Sequence, residues 1–216
     1  MIENYLWSGS TDRTIRVWDI LSGGCMGVLS SAGPPGSPGL GHVDAVSCLE
    51  FIPPTTAAAG ASSSAAGGDV GGEAFIASGG ADGELKLWRP NGEFAHSVSH
   101  GPPGSPAFIT KLKYFKDSFG GIICHCMYNF RLLTCIDVIL HSILYHFVGQ
   151  AALIIAFLDG SIMLRSCLTM ELLFSLDASF HSNSPVWAIA TIPDQSCFAT
   201  AGDTGSIIVW RVGQAL

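Results

Sequence analysis

The residues of this chain whose types and spacing bear on chemistry fall into two groups. Cys124-His125-Cys126, followed by Cys135, His141 and His146, offers the sulfur and imidazole donors that zinc prefers. His141 and His146 are spaced like a zinc-finger histidine pair, but Cys-x-Cys is tighter than the Cys-x2–4-Cys such sites use. We assign no metal there and expect no cofactor. The second group is His42 with Asp44 close by, and no nucleophile accompanies them. The chain also holds no Gly-x-x-x-x-Gly-Lys loop, no His-Glu-x-x-His and no Gly-x-Ser-x-Gly. Catalysis has no footing, so a protein that is not an enzyme is expected.

Such residues must be positioned by a repeated hairpin. Four stretches follow one template: Trp7–Asp19 (WSGSTDRTIRVWD), Ala77–Arg89 (ASGGADGELKLWR), Ile154–Ser166 (IIAFLDGSIMLRS) and Ala199–Arg211 (ATAGDTGSIIVWR). Each has a small-residue strand, a turn with Asp and usually Gly, then an alternating strand. In the second copy Leu85 and Leu87 alternate with Glu84 and Lys86, the period of two of a half-buried strand. Asp82-Gly83 and Asp159-Gly160 are hairpin turns, because Gly tolerates positive φ. A second register precedes the hairpins: Val46–Pro53 (VSCLEFIP) matches Val186–Pro193 position by position, and Ile109–Lys116 fits more loosely. Cys25–Ser30, Glu93–Val98 and Met170–Leu176 follow the hairpins as outer strands. Lettering the strands of one unit a to d, the order is b-c-d, a-b-c-d, a-b-c-d, a-b-c.

With Trp18-Asp19 ending one unit and Gly41-His42 opening the next, the chain resembles the WD-repeat family over nearly all its length, apart from Pro53–Gly72 and Ile122–Gln150. The resemblance implies an all-β fold over residues 1–216: a partial β-propeller of about four four-stranded antiparallel blades. It also implies a hydrogen-bonded tetrad in the second blade, with His42 on Asp82, Ser78 bridging and Trp88 donating its indole N–H. Buried imidazole and indole groups each need a partner, and here they satisfy one another. The first blade keeps Ser8, Asp12 and Trp18. The fourth keeps Thr200 and Trp210, with Thr204 where Asp belongs, Asp203 beside it and His181 one residue out of register. The third, with Ile155, Asp159 and Arg165, has largely lost the tetrad. These residues read as structural.

Two insertions break the pattern. Residues 53–72 are a run of Pro, Thr, Ala, Ser and Gly that cannot bury enough surface to offset its ordering entropy, so a disordered loop is expected. Residues 122–150 are rich in Ile, Leu, Phe, Tyr, Cys and His and match no strand template. Their composition is that of T-rich non-coding DNA, so a retained intron is one reading and an apolar helix packed beside the propeller is the other. A membrane span there is disfavoured. Asn129, Arg131, Asp137, His141 and His146 interrupt the run, and a charge near a helix centre costs about 2.5–3.5 kcal/mol on the lenient scale. The pattern opens on a b strand and stops after a c strand, so a fragment of a larger propeller is expected.

Function must then come from surfaces. A net charge of −7 argues against direct contact with nucleic acid, which wants a basic face. The first residues lack a basic start followed by an apolar run, and the seven scattered cysteines suit buried thiols, so the cytoplasm or nucleus is expected. The resemblance implies a scaffold that binds other proteins, without a small-molecule substrate, using the face shared by d–a loops and b–c turns. Thr11, Arg13, Ala81, Glu84, Thr204 and Ser206 lie near that face. Gly-Pro-Pro-Gly-Ser-Pro occurs twice, at Gly33–Pro38 and Gly101–Pro106, each in a d–a loop. It would dock as polyproline II or be phosphorylated at Ser37 and Ser105, composition drift being the plainer alternative. Two other classes stay open. One is a substrate-receptor subunit of a ubiquitin ligase, although cullin-linked relatives carry Trp-Asp-x-Arg and Trp18-Asp19-Ile20 is followed here by Leu21. The other is a regulatory propeller of a larger enzyme.

Overall fold

The computed structural model describes residues 4–31, 39–54, 73–102, 105–116, 124–129, 151–192 and 197–212. It is almost wholly antiparallel β-structure, divided into two compact units. Of the described residues, the first comprises those up to Pro54 with Glu73–Leu112 and the second those from Lys113 onward. Of the segments singled out above, most of 53–72, most of 122–150 and all of 32–38 lie outside the described residues, and with them Ser37, Cys135, His141 and His146.

In the first unit β1 (Tyr5–Gly9), β2 (Ile15–Asp19) and β3 (Cys25–Leu29) form a three-stranded sheet. Beside it, β4 (Val46–Ile52), β5 (Phe75–Gly80), β6 (Glu84–Trp88) and β7 (Phe94–Ser99) form a four-stranded sheet in chain order. Alternation decides what is buried. Leu85 and Leu87 face inward at 0% and 1% exposure, while Glu84 and Lys86 keep partial contact with water. The two sheets share a core of Ile15, Val46 and Trp88, with Trp7, Leu29, Leu49 and Phe94 packed around it. Each such fully buried side chain contributes roughly 1.5–3 kcal/mol. The Val46 N–H donates to the Ser10 carbonyl at 3.0 Å, which ties the hairpin turn of one sheet to the first strand of the next.

The hairpin turns depend on left-handed backbone. Gly83 sits at φ +72°, and a Cβ there would stand 2.6 Å from the His100 carbonyl oxygen, so only Gly fits. Gly160 and Gly205 fill the same place in their hairpins at φ 94° and 69°, whereas the first hairpin puts Arg13 there at φ 72°. An L-residue in that region costs roughly 1–2 kcal/mol.

In the second unit one sheet has the order β12 (Leu172–Leu176), β11 (Ile162–Ser166), β10 (Ala151–Phe157) and β8 (Ile109–Lys116), β8 beginning in the first unit. The other has the order β13 (Val186–Ile192), β14 (Cys197–Gly202), β15 (Ile207–Val212) and β9 (Cys124–Asn129). Every residue of β10 is buried, so this strand contributes chiefly apolar packing to its hairpin. Ala152, Ile154, Leu164, Val186, Phe198 and Trp210 are among the residues of a continuous core between the two sheets.

Two details depart from the sequence-based expectation. Strands β7 and β12 begin one and two residues later than expected, at Phe94 and Leu172; Met170 at φ 57° turns the chain before β12 starts. More consequential is β9, which lies within 122–150, where no strand template fits. It pairs antiparallel with β15, from Ile208 opposite Asn129 to Val212 opposite Cys124. The physical reason is the open edge of β15: a row of unpaired backbone groups is satisfied by any extended segment brought alongside, whatever its side-chain pattern.

Candidate functional site

In the four-stranded sheet of the first unit, His42 comes from the loop before β4, Ser78 from β5, Asp82 from the β5–β6 turn and Trp88 from the end of β6. The Trp88 indole N–H donates to Ser78 Oγ at 2.8 Å, His42 Nε2 lies 2.8 Å from the same oxygen, and His42 Nδ1 lies 3.0 Å from both Asp82 carboxylate oxygens. A neutral ring protonated on Nδ1 serves all of them: indole to hydroxyl, hydroxyl to Nε2, Nδ1–H to carboxylate. Asp82 also accepts the Val43 and Glu84 amides at 2.9 and 3.1 Å. Burial pushes its carboxyl up, but the His42 hydrogen bond and those from the two amides outweigh it and hold the carboxyl below its ordinary range. A Cβ on Gly80 would come within 2.7 Å of both Asp82 and His42, which is why glycine precedes this turn.

The other hairpins keep parts of this arrangement. In the first, the Trp18 indole donates to Ser8 Oγ at 2.9 Å, while exposed Asp12 takes the Thr14 amide at 3.0 Å and Arg16 at 3.2 Å. In the third, Asp159 caps only Ser161, and Arg165 donates to the Met170 carbonyl at 2.7 Å. In the fourth, the Trp210 indole donates to Thr200 Oγ1 at 2.8 Å and His181 Nε2 lies 2.8 Å from the same oxygen. The offset of His181 in the sequence is absorbed by a short 3-10 turn, Ala178–His181, capped by Asp177. Thr204, where an acid would stand, bonds instead to Ser206, and His181 Nδ1 is buried without a partner.

That orphaned nitrogen has a measurable consequence. Burial lowers the His181 pKa from its ordinary 6.5. Unfolded chains take up a proton there as the pH falls below 6.5, whereas the folded chain resists it. Stability is therefore full above that value and is lost as the pH falls through it towards the folded value. Thr204→Asp supplies the missing acceptor. It is expected to abolish the loss between pH 7 and 5 and to add about 1 kcal/mol at pH 7. Urea denaturation at both pH values is the check; a variant as acid-sensitive as the parent would show Nδ1 still unserved.

The loop residues sort unequally. Thr11 and Arg13 are exposed on the β1–β2 turn. Ala81 is half-buried with its N–H on the Ala45 carbonyl at 2.9 Å. Glu84 is a sheet residue: it starts β6, accepts the Ser99 hydroxyl and stands 3.9 Å from Lys86 Nζ. Ser206 is buried, whereas Ser105 is exposed in the β7–β8 loop. In the first unit that loop lies over the Asp82-Gly83 turn, the His100 N–H donating to Gly83 at 2.8 Å, so d–a loop and b–c turn do share a side. Among the described cysteines Cys48 and Cys167 are buried, their thiols pushed up to about 11 and about 12 by burial, which leaves them inert. The sequence marks Asp203 only as the neighbour of Thr204 and gives Trp187 no role: in the structure the Trp187 indole donates to the Asp203 carboxylate at 2.6 Å on the exposed surface. The available signal was a Trp at the position where the matching strand has Ser47.

Antiparallel sheets built on one hairpin, three of its four copies with a Trp locked to a hydroxyl on the neighbouring strand, are consistent with the fold of a WD-type β-propeller. The family model described as "WD domain, G-beta repeat" matches residues 171–211. The WD repeat-containing protein pop2 of Schizosaccharomyces pombe is 29% identical over 87 residues, 40% of this chain and 10% of that protein. The chain thus spans about a tenth of that curated relative. The crystal structure of the computationally designed Ika4 protein shares the fold, with a TM-score of 0.54 at 21% identity over 97% of this chain and 86% of the other. These matches make the chain similar to WD-repeat proteins, and its sheets share the fold of that designed protein.

Proposed function

We propose that this chain is a non-catalytic scaffold that holds other proteins in a multiprotein complex through the side built from its b–c turns and d–a loops. The observation that carries this reading is how the polar groups are spent. The buried ones (His42, Ser78, Asp82, Thr200, His181) are engaged in holding their own hairpins, while Thr11, Arg13 and Ser105 project from turns into solvent. Arg13 adds a second indication, because a charged residue is kept where three sibling turns place glycine, and local strain of this kind gathers at working surfaces. The free thiols suit a reducing compartment, so the cytoplasm or nucleus is the location this reading favours. No helix among the described residues is long and apolar enough to cross a membrane.

The test is affinity capture with the full chain, comparing the parent with Thr11→Asp/Arg13→Glu. Both are exposed positions, so the circular dichroism and melting temperature should stay close to the parent's while a defined subset of captured proteins is lost. An unchanged set of captured proteins would remove this side as the binding surface.

A further inference from the structure

We propose that Trp187 and Asp203 form a recognition site for a basic side chain, an arginine or lysine presented by a protein partner. This rests on the protein-binding reading above and names what one part of that surface takes.

The first support is a backbone device. Between Val186 and Ala188 the β13–β14 ladder slips, leaving Trp187 as the extra residue of a bulge. The matching strand of the first unit has the same slip between Val46 and Cys48, and there the bulged residue is Ser47. Ser47 turns its hydroxyl to the main chain, donating to the carbonyls of Gly79 and Ile109. The bulge thus exists as a structural habit of the fold. At this copy it presents a large aromatic ring, 49% exposed, instead of a small hydroxyl closing on the backbone. Bulges re-aim side chains, and this one turns about half of an indole residue out to solvent.

The second support is the fixing of that ring. Asp203 Oδ1 receives the indole N–H at 2.6 Å, so the ring is held at one edge while about half of the residue stays open to solvent. The same carboxylate leaves a negative charge at that edge of the ring. A guanidinium or ammonium group is attracted to both at once, to the ring by its quadrupole and to the carboxylate by charge.

Charge complementarity is the third. From Ser166 to Trp210 the sequence has no Lys or Arg, while Glu171, Asp177, Asp194 and Asp203 are acidic. No cation of this stretch competes for the pair, and His181 is held neutral by burial. The loop that leads into β13 carries two consecutive non-glycine residues at positive φ, Ser182 and Asn183, both at 55°.

The experiment follows the Trp187 indole N–H resonance of the full chain, identified by its loss in Trp187→Phe, during titration with four peptides. These are Ac-Gly-Ser-X-Ser-Gly-amide with X arginine, lysine, citrulline or norleucine. Arginine and lysine peptides should shift it saturably in the millimolar range, with citrulline and norleucine at least about fivefold weaker. Asp203→Asn, which keeps the shape and the acceptor oxygen, should weaken the arginine peptide about two- to fivefold and leave citrulline unchanged. Equal binding of citrulline and arginine, or an Asp203→Asn chain that binds arginine as the parent does, overturns the proposal. If neither cationic peptide moves the resonance while capture of partners still depends on Thr11 and Arg13, the cation site falls and the scaffold reading stands. If the cationic peptides bind here and that capture is insensitive to Thr11 and Arg13, the site stands and the broader surface does not.

Discussion

Replacing His42 with alanine is expected to destabilise the first unit by about 3–5 kcal/mol, because a buried, partnered polar group is removed and its partners are left behind. The ring is completely buried and meets Asp82 on one side and Ser78 on the other. Once it is gone, Ser78 still receives the Trp88 indole, but the Asp82 carboxylate, 2% exposed, keeps only the Val43 and Glu84 amides. The pH dependence separates this mechanism from simple loss of packing. Asp82 ionises below its ordinary 3.8 in the folded chain, so it contributes stability that is present above that value and lost as the pH falls through the folded value. His42→Ala removes the largest group favouring ionisation and should flatten that acid limb. Equilibrium urea titrations of parent, His42→Ala, Asp82→Asn and the double variant from pH 7 to 3 measure both quantities. Additive single effects, with the acid limb intact, would mean the pair is not coupled.

Trp210→Ala should cost the second unit a similar amount, about 3–5 kcal/mol, but mostly through lost volume. Trp210 is 1% exposed, stacks with Phe198 at 6.1 Å and meets Phe180 edge-on at 5.2 Å. Trp210→Phe divides the effect. It retains most of the apolar contact and loses the N–H, while Thr200 still has His181 to bond, so about 1 kcal/mol is expected. Thermal denaturation of the three proteins at equal pH gives the comparison. A phenylalanine variant as damaged as the alanine one would mean that the hydrogen bond outweighs the packing.

Both predictions concern residues that stand out in the sequence for a physical reason. A hairpin with Trp at its end, a small hydroxyl residue opposite and an Asp-Gly turn between them is local, and local patterns survive in the sequence with little interference from the rest of the fold. The strands of these hairpins are legible for that reason. What is not legible depends on distant geometry. The 3-10 turn that carries His181 to Thr200 has no periodic signal. Glu84 and Ser206 look like loop residues because they adjoin turns, but the one opens a strand and the other is buried. Trp187 stands on β13 and Asp203 just past the end of β14, and they meet only through the bulged pairing of these successive strands.

The pairing of β9 with β15 also sets an order of assembly. In the first unit every strand pairs with its neighbour in the chain, so each hairpin can zip as it emerges. In the second, β9 leaves the ribosome before β10 to β14 and finds its partner only when β15 arrives. Until then it has no ladder to join, and closing so long a loop is slow. The second unit is therefore the late folder, and the last sheet is a clasp that shuts only after the rest of that unit is made.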